Sequence, residues 1–479
     1  MATHRLGPRL VVAGTSSGVG KTSIATGLMA ALCRQGLRVG AAKVGPDYID
    51  PGFHALATGR PGRNLDAWMC GAEAMAPLAG RAAVGCDVLV IEGVMGLFDG
   101  AADGATASTA DIARLLDAPV VLVVDASKMS GSVAALVHGF AALDPRTQLA
   151  GVILNRVASD GHETMLRDAL APVGVPVVGA LRRDARLAWP ARHLGLVPVA
   201  ERPAEIARTI ESLADAVSGA CDLGLLMAIA RTAPERVVAP PASAPAALPA
   251  GRRIPVALAA GPAFSFLYPD NLEHLVEAGA ELVAFDPTSD SALPEGVAGL
   301  YAGGGFPEVF AEHLADNAAL LDDVRRRVAD GLVTWAECGG LLWLCQALDE
   351  HRMAGVVPAK ATMSDRLTLG YRRAVVRVAN PLAAVGTELR GHEFHYSTVS
   401  PAGEALELAG RFGSGAGGFA SPTLLATYLH LHLASNPALA TSFVATAAGA
   451  AAQSVTSEWA AGANSGALPS GRDRVEDTS

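Results

Sequence analysis

The chain has 479 residues, of which 51% are hydrophobic and 18% charged, so we expect a globular protein with more than one core. A formal net charge of −10 and the lack of a long basic run argue against a nucleic-acid partner and favour small-molecule substrates. The sequence shows neither the apolar segment of a signal peptide nor a run of the ~20 apolar residues that a membrane span needs, which predicts a cytoplasmic protein. Its six cysteines form no C-x-x-C pair, so we predict neither a disulfide framework nor a zinc ribbon.

The first predicted element is a phosphate-binding loop between a strand and a helix. Positions 10 to 23 read LVVAGTSSGVGKTS, an apolar run that passes into a turn rich in Gly and Ser. Glycines let backbone N–H groups converge on a phosphate, Lys21 can reach the outer phosphates, and the Thr22 hydroxyl can bind magnesium. The strict motif has glycine at position 15, whereas here that position is Thr15 and the glycine is Gly14. We predict that nucleotide phosphates bind to Gly14, Thr15, Gly18, Gly20, Lys21, Thr22 and Ser23.

Further along the chain, short apolar runs alternate with helical patterns. This alternation predicts repeated βαβ units and a doubly wound parallel sheet. Residues 232–253, rich in Pro and Ala, predict a linker, and a second alternating series follows it. We therefore predict two doubly wound α/β domains, over residues 1–231 and 254–450, and a disordered tail at 451–479. The predicted strands of the first domain lie at 37–44, 87–94, 119–126, 149–157 and 175–181, and those of the second begin at 254, 281, 297 and 332.

Acidic side chains follow a strand in the motif KVGPDYIDPGFH, which contains Lys43, Asp47, Tyr48 and Asp50. Ligands of open α/β sheets bind at the carboxyl edge of the strands, beside the phosphate loop. The motif therefore indicates a binding site, although a solvated loop is the alternative for this segment taken alone.

A second motif, VLVIEGVMGLFDG, places Glu92 at a strand end and Asp99 in the loop after it. A carboxylate that faces a phosphate loop is a suitable magnesium ligand, so we predict a metal site made by Thr22 and Glu92. Repeated polar strand ends favour a site over a solvated loop. Asp125 and Asn155 follow the next two strands, and Asn155 could contact a nucleotide base or cap a loop.

The second domain contains a candidate nucleophile in the run LVTWAECGGLLWLCQAL. Cys338 lies between a predicted strand and a helix opened by glycines, where a thiol is exposed and the helix N-terminus stabilises its thiolate. Cys345, inside the helix, fits a buried apolar role. Upstream, LYAGGGFPEVF places glycines at another strand end, and we predict an oxyanion site at Gly304 and Gly305.

Histidines near the C-terminus offer a base for this cysteine. The run TLLATYLHLHL predicts a strand with His430 and His432 on one face. Together with His392 and His395 in GHEFHYS they could instead bind zinc. Because no acidic or cysteine residue stands at a spacing typical of a fourth zinc ligand, the sequence favours the role of a base over zinc binding.

Taken together, these motifs resemble the cobyrinate and hydrogenobyrinate a,c-diamide synthases of cobalamin biosynthesis. The resemblance extends from Arg9 to Ala450 and implies an ATP-using domain related to dethiobiotin synthetase, followed by a triad-type glutamine amidotransferase domain. The implied substrates are a corrinoid, glutamine and ATP with Mg2+, and a homodimer is one option for the assembly. The motifs that carry it are, in chain order, GTSSGVGKTS, KVGPDYIDPGFH, IEGVMGLFDG, GGGFPE, AECGG, GHEFHYS and YLHLH.

The resemblance also implies residue roles. Cys338 would be the glutaminase nucleophile and His430 its base. Broader relatives carry Glu two residues after that His, where this chain has His432, so the third triad member stays open. ATP would convert a substrate carboxylate into an acyl phosphate, with Asp99 beside the reacting phosphate, and ammonia would reach it through an internal passage. The residues expected near the corrin acetate groups are Asp47, Tyr48 and Asp50.

Other families share parts of this pattern. Cobyric acid synthases have the same domain order, but they carry a different, Asn-containing loop in place of KVGPDYIDPGFH. A relative that acts on nickel sirohydrochlorin shares more of the motifs and is excluded only weakly. Partitioning ATPases carry an extra lysine where this chain has Ser16, and they lack the amidotransferase half. A nucleotide switch with an inactive glutaminase domain is the alternative from another class.

Overall fold

The computed structural model describes residues 3–100, 107–184, 187–192, 195–249, 251–411 and 413–464. Its first part is a three-layer α/β domain. The elements of this part are β1 (His4–Leu6), β2 (Arg9–Gly14), α1 (Lys21–Arg34), β3 (Val39–Val44), α2 (Ile49–Thr58), β4 (Arg63–Leu65), α3 (Ala67–Cys70), α4 (Met75–Ala82), β5 (Val88–Glu92), α5 (Thr109–Leu115), β6 (Val120–Asp125), α6 (Ser132–Leu143), β7 (Leu149–Val157), α7 (Asp160–Leu170), β8 (Val177–Arg182), β9 (Ala191–Arg192), β10 (Gly195–Leu196), α8 (Pro203–Ala220), α9 (Leu223–Arg231) and β11 (Arg236–Val238).

The main sheet of the first domain has seven parallel strands in the order β4-β3-β5-β2-β6-β7-β8. Both faces of this sheet are covered. Along β2, Val11 and Ala13 belong to one buried cluster, whereas Leu10 and Val12 belong to another on the opposite face. A strand buried on both faces needs a continuous apolar run, which explains the composition of these segments. The predicted doubly wound fold is confirmed, with the phosphate loop after a central strand.

The helix that follows the phosphate loop, α1, is held by close packing against α8. In α8 the apolar residues Ile206, Ile210, Leu213 and Val217 recur at helical spacing and are buried. They pack on α1 at Gly27, where an added Cβ would lie 2.9 Å from the Leu213 carbonyl oxygen. The close approach of these two helices fixes the direction in which α1 points at the phosphate site.

The second domain contains two sheets. The elements of this part are β12 (Ile254–Ala259), α10 (Pro269–Ala278), β13 (Ala280–Phe285), β14 (Gly299–Ala302), α11 (Ala311–Asp316), α12 (Ala318–Ala329), β15 (Val333–Glu337), α13 (Gly339–Leu344), β16 (Ala347–Leu348), β17 (His351–Arg352), β18 (Lys360–Val376), β19 (Glu388–Ser400), β20 (Leu406–Gly410), β21 (Gly413–Gly417), β22 (Phe419–Ser421), β23 (Leu424–Thr427), β24 (His430–Leu431) and α14 (Ala438–Asn464).

One of these sheets has the order β13-β12-β14-β15-β23-β22 and is parallel except for its edge strand β22. This sheet confirms the predicted α/β class of the second domain. The other sheet has the order β17-β16-β18-β19-β24 and is built around the long antiparallel pair β18 and β19. The sequence patterns did not predict this second sheet.

Two predicted boundaries need correction. The predicted linker contains β11, which pairs with β1, and Ala244, which is buried in the second core. Main-chain pairing with a distant strand and a single buried alanine leave no local apolar pattern, so composition alone suggested a linker. The helix α14 runs to Asn464, into the predicted tail, and its many alanines favour helix. Residues 465–479 lie outside the described part.

The two domains contact each other through buried polar groups. Arg63 lies 2.8 Å from Asp270, and Arg81 lies 3.0 Å from Glu277. On another part of the interface, the Tyr371 hydroxyl donates to an Asp66 carboxylate oxygen at 2.8 Å. Within the described residues, no helix is long and apolar enough to cross a membrane.

Candidate active sites

The phosphate loop has the backbone that its sequence predicts. Gly18 and Gly20 have positive φ angles of 78° and 97°, and α1 begins at Lys21. An added Cβ on Gly14 would lie 2.9 Å from the Lys21 side chain. The glycine one position earlier than the strict motif therefore makes room for the lysine. Within the same segment, the Ser23 hydroxyl accepts from the Trp189 indole N–H at 3.0 Å.

Lys21 is buried at the start of α1, and its Nζ donates to the Ser16 carbonyl at 3.0 Å. Burial and the neighbouring Lys43 charge lower the pKa of Lys21 to about 8. A nucleotide phosphate would oppose both effects, so the residue is poised to bind an anion. Gly96, in the loop after β5, packs closely on the phosphate loop, because an added Cβ on Gly96 would lie 3.1 Å from the Thr15 carbonyl oxygen.

Lys43, Asp50 and Glu92 form a buried charge cluster beside the loop. The Lys43 Nζ lies 2.7 Å from an oxygen of each carboxylate. Glu92 also accepts from the Thr22 hydroxyl at 2.6 Å, and its second oxygen lies 2.7 Å from Nε2 of His54. The structure thus brings together the predicted residues Thr22, Asp50 and Glu92.

The pKa values in this cluster follow from burial and from the opposed charges. Burial alone would raise the pKa of Glu92, but Lys43 and His54 lower it, so Glu92 stays ionised. Burial would lower the pKa of Lys43, and Asp50 and Glu92 raise it instead. Burial and the neighbouring Asp47 raise the pKa of Asp50. His54 was not predicted as a site residue, although it ends the motif KVGPDYIDPGFH and could have been found there.

The donor set at this point suits magnesium. The Thr22 hydroxyl and the Glu92 carboxylate are hard oxygen ligands that already meet at 2.6 Å, and an Asp50 oxygen lies 3.3 Å from the same hydroxyl. Among the described residues there is no group of three or more His, Cys, Asp or Glu side chains arranged to hold a metal ion. A magnesium ion here would therefore take ligands from the nucleotide phosphates as well as from the protein.

Other predicted acidic residues have local structural partners. Asp47 accepts from the backbone N–H of Ile49 at 2.9 Å at the start of α2, and Asp99 accepts from the N–H of Gly96 at 2.8 Å. Asn155 donates to the Val19 carbonyl at 2.8 Å, so it caps the phosphate loop, one of the two roles considered for it. Asp125 pairs with Arg156 at 2.5 Å.

In the second domain, Cys338 occupies a strained turn between β15 and α13. Its φ is 48°, a left-handed value that is rare for a residue with a Cβ and typical of functional sites. The thiol is buried, and its Sγ lies 3.8 Å from the Phe394 carbonyl oxygen. Burial raises the pKa of Cys338 far more than the Gly339 backbone N–H lowers it. The thiol is therefore buried and not exposed as predicted, and its desolvation opposes the thiolate that the N-terminus of the short helix would favour.

The two residues predicted to form the oxyanion site, Gly304 and Gly305, both lie against the turn that carries Cys338. Gly304 donates its N–H to the Phe266 carbonyl at 3.2 Å, so this N–H is already engaged and the prediction for Gly304 is corrected. The Gly305 nitrogen lies 3.1 Å from where a Cβ on Gly339 would stand. Gly305 thus packs directly against the turn that carries Cys338.

His430 is buried against aromatic rings from both domains. Its Nδ1 lies 3.3 Å from the Tyr48 hydroxyl, and its ring centroid lies 4.9 Å from that of His392. Burial lowers the pKa of His430 well below its usual value, so the ring is neutral. Tyr48, predicted to lie at the substrate, thus contacts the second domain.

His432 is also buried, with its ring centroid 4.7 Å from that of Tyr268. The strand β24 ends before it, and its Nδ1 accepts from the backbone N–H of Ala434 at 3.3 Å. His395, considered as a zinc ligand, stacks on Tyr428 with 3.7 Å between ring centroids. The predicted strand with both C-terminal histidines on one face is therefore shorter than expected.

Comparison with known proteins matches both halves of the chain. Residues 10–197 match the model of the CobQ/CobB/MinD/ParA nucleotide binding domain, and residues 255–438 match that of the CobB/CobQ-like glutamine amidotransferase domain. A protein of Streptomyces coelicolor named hydrogenobyrinate a,c-diamide synthase is 50% identical, over 91% of this chain and 97% of its own length. The chain belongs to the a,c-diamide synthase family.

Other a,c-diamide synthases of the family differ in the substrate that their names carry. A hydrogenobyrinate a,c-diamide synthase of Thermobifida fusca is 48% identical, over 91% of this chain and 96% of its own length. A cobyrinate a,c-diamide synthase of Dehalococcoides mccartyi is 43% identical, over 91% of this chain and 97% of its own length. Membership of the family thus confirms the resemblance seen in the motifs, with a nucleotide-binding domain joined to a glutamine amidotransferase domain.

Proposed function

We propose that this protein uses ATP and glutamine to convert the a- and c-acetate carboxylates of hydrogenobyrinate or cobyrinate into amides. The observation that carries the proposal is the presence of a phosphate site and a strained buried cysteine on one chain, within the a,c-diamide synthase family. Each site supplies one half of the chemistry. A carboxylate must be activated before ammonia can replace its oxygen, and ammonia must be released from glutamine.

Activation takes place in the first domain. The substrate carboxylate attacks the γ-phosphorus of ATP, which gives an acyl phosphate and ADP, and negative charge develops on the transferred phosphoryl group. Lys21 and Lys43 stabilise that charge. A magnesium ion held by Thr22 and Glu92 would supply further charge neutralisation when bound. We propose that Asp99 acts beside the reacting phosphate.

The loop after β3 is proposed to meet the corrin ring. It carries Asp47, and Tyr48 at the contact with the second domain, and Asp50 follows next to Lys43 in the first turn of α2. These acidic side chains would repel the carboxylates of a multiply anionic substrate, so the loop can determine which acetate group reaches the phosphate.

Ammonia is made in the second domain. The Cys338 thiol loses its proton to His430 and attacks the amide carbon of glutamine, which expels ammonia and leaves a glutamyl thioester. The Gly305 N–H, beside the cysteine turn, would hold the oxyanion. Water then hydrolyses the thioester to glutamate. The released ammonia attacks the acyl phosphate in the first domain and displaces phosphate.

The experiment that tests this proposal is an assay with ATP, Mg2+ and glutamine on hydrogenobyrinic acid and cobyrinic acid side by side, read by mass spectrometry. We expect the mass change of two carboxyl-to-amide conversions on at least one of them. Four amidations would instead assign a cobyric acid synthase, and product only in a parallel assay with nickel sirohydrochlorin would assign that relative. No product with any of these acids would overturn the proposal.

Two further properties belong to the same proposal. We place the enzyme in the cytoplasm, which fits its six free cysteines. Assembly as a homodimer is checked by sedimentation of the purified chain.

A further inference from the structure

We propose that His54 is a positioning residue of the phosphate site, which holds the Glu92 carboxylate so that one of its oxygens faces the Thr22 hydroxyl and the magnesium ion. The inference rests on the proposed function, in which Thr22 and Glu92 hold that ion. It adds a residue that acts on the ion through Glu92.

His54 and Glu92 form a fully buried pair. Nε2 of His54 lies 2.7 Å from Oε2 of Glu92, and neither side chain has exposed surface. The other oxygen, Oε1, lies 2.7 Å from Nζ of Lys43 and accepts from the Thr22 hydroxyl at 2.6 Å. The two oxygens thus have different partners, and the contact with His54 keeps Oε1 as the oxygen that faces Thr22.

The helix α2 places His54 at this carboxylate. Asp50 and His54 are four residues apart in α2, so their side chains lie on the same face of the helix. Asp50 contacts the lysine of the charge cluster, and His54 contacts Glu92. The helix also packs closely on the chain before β4, because an added Cβ on Gly62 would lie 2.2 Å from the Pro51 carbonyl oxygen. The position of α2 therefore fixes where the imidazole meets the carboxylate.

The proton of this hydrogen bond belongs to the histidine. Burial alone would raise the pKa of Glu92, but the Lys43 ammonium lowers it, so the carboxylate is ionised. An ionised carboxylate can only accept, so Nε2 of His54 donates. This direction does not depend on the charge of the ring, because Nε2 carries a proton both in the imidazolium and in the neutral tautomer that donates here.

The other ring nitrogen of His54 supports the same role. Nδ1 is buried and has no hydrogen-bond partner in the described part of the chain. A buried polar atom without a partner costs stability, so packing alone would favour an apolar side chain at this position. The hydrogen bond to Glu92 is the interaction that a histidine supplies here and an apolar residue does not.

The place of His54 is that of a residue that supports a metal ligand. Carboxylates that bind a metal ion are themselves held by hydrogen bonds, and loss of the supporting residue typically lowers metal affinity or activity by about tenfold to a hundredfold. Without a donor at Oε2, the Glu92 carboxylate can rotate and offer either oxygen to Lys43, which competes with a cation for it. His54 thus keeps Glu92 oriented before magnesium binds.

The test is the affinity of the purified full-length protein for Mn2+ in the presence of ADP, with free Mn2+ measured by electron paramagnetic resonance. Mn2+ suits the same oxygen ligands as magnesium. His54→Leu removes the donor, and we expect the dissociation constant for Mn2+ to rise about tenfold to a hundredfold. The affinity for ADP measured in EDTA should stay as in the parent, because the phosphate loop itself is unchanged.

Two polar variants separate the hydrogen bond from the packing of the ring. In His54→Gln the amide nitrogen stands close to the place of Nε2 and can donate to Glu92, so most of the Mn2+ affinity should return. In His54→Asn the amide is too short to reach Glu92, and the affinity should stay as low as in His54→Leu. If His54→Leu does not fold, the comparison of these two variants decides the test.

The matched control is His274→Leu, in the second domain. His274 is also fully buried, its Nδ1 lies 3.2 Å from Oε2 of Glu277, and its Nε2 has no hydrogen-bond partner among the described residues. This variant should lose stability in thermal unfolding, whereas its Mn2+ affinity should equal that of the parent.

Three results would overturn the inference: parental Mn2+ affinity in His54→Leu, equal affinities in His54→Gln and His54→Asn, or an equal loss in His274→Leu. A parent protein that binds no Mn2+ beyond that bound by free ADP would overturn the proposed magnesium site as well. The experiment contains no corrinoid, so a failure to amidate either acid would leave its result unchanged. Failure of the inference and failure of the proposed function are therefore distinct.

Discussion

The two candidate sites are both buried, but the phosphate site holds paired charged groups, whereas burial favours the neutral forms of the groups in the glutaminase site. In the phosphate site the Lys43 ammonium faces the carboxylates of Asp50 and Glu92 at 2.7 Å, so opposed charges offset the cost of desolvation. In the glutaminase site, burial moves the pKa values of Cys338 and His430 in opposite directions, toward the neutral forms.

This difference matches the chemistry proposed for each site. Phosphoryl transfer brings highly charged groups together, so the first site must hold fixed charges before ATP binds. Glutamine is neutral, and a neutral thiol and a neutral imidazole can both be buried before it binds without the cost of a buried ion pair. Charge then appears only when the proton moves from Cys338 to His430.

The largest expected effect comes from removing the phosphate-site charge. Lys21→Ala should abolish diamide formation with glutamine and with ammonium salts alike, because both nitrogen donors need the activated carboxylate. Product formation is measured with each donor. The control is Lys360→Ala, which removes an exposed lysine at the start of β18 and should behave as the parent. Amidation by the Lys21 variant with ammonium would show that the phosphate loop is assigned wrongly.

Removing the glutaminase sulfur should affect only one donor. In Cys338→Ala, glutamine hydrolysis and glutamine-dependent amidation should vanish together, since no thioester can form. Ammonium salts should still support amidation, better at raised pH, because free NH3 is the nucleophile. The matched control is Cys345→Ala, which removes a buried thiol directly after α13, the helix that follows Cys338. Loss of the ammonium reaction in the Cys338 variant would contradict the separation of the two sites.

A smaller effect is expected from weakening the charge cluster. Glu92→Gln replaces a carboxylate that binds Lys43, His54 and Thr22 by a neutral amide. Turnover should drop sharply and the magnesium concentration at half-maximal rate should rise, because an amide is a poorer ligand for a hard cation. The buried Lys43 also loses one of its counter-charges, so the free energy of unfolding should fall by about 3 kcal/mol.

The control for the change in stability is Asp87→Asn. It breaks the exposed pair of Asp87 with Arg38 on the same sheet and should cost less than about 1 kcal/mol. Equal losses in the two variants would show that burial of the charge cluster contributes nothing. An unchanged magnesium titration in Glu92→Gln would assign Glu92 to structure alone.

The sequence predicted the phosphate site better than the glutaminase site, and the reason is physical. The phosphate loop and the strand ends form from contiguous segments, and parallel strands bring Thr22, Asp50 and Glu92 to one edge by a general rule of α/β folds. Gly14 departs from the strict motif by one position, but it still belongs to the contiguous segment that predicted the loop, and it leaves room for the Lys21 side chain.

The surroundings of the glutaminase site depend on contacts that no local pattern contains. Tyr48 and His430 are 382 positions apart, and their contact exists only because the two domains pack together. The burial of the Cys338 thiol was not predicted because it comes from neighbours such as Phe394, on β19, a strand that the sequence patterns did not predict. The pairing of β11 with β1 is likewise invisible in the composition of residues 232–253.

The last prediction concerns the pH dependence of stability and not activity, and it comes from the buried carboxyl group of Glu337, next to the cysteine. Burial raises the pKa of Glu337 to about 8, so this group is protonated in the folded protein over a range where it is ionised in the unfolded chain. Its contribution to stability is fully present below the unfolded pKa and is lost as the pH rises through about 8.

Glu337→Gln keeps the shape of this side chain and removes its titration. Between the two pKa values the free energy of unfolding of the parent should fall by at most about 1.4 kcal/mol per pH unit relative to the variant. Thermal unfolding at several pH values from mildly acidic to mildly alkaline measures this difference, and the variant should be the more stable protein at the alkaline end. Glu281→Gln, which removes an exposed carboxylate on β13, should follow the parent. If Glu337→Gln also follows the parent at every pH, Glu337 is ionised in the folded state, and the glutaminase site carries a buried charge after all.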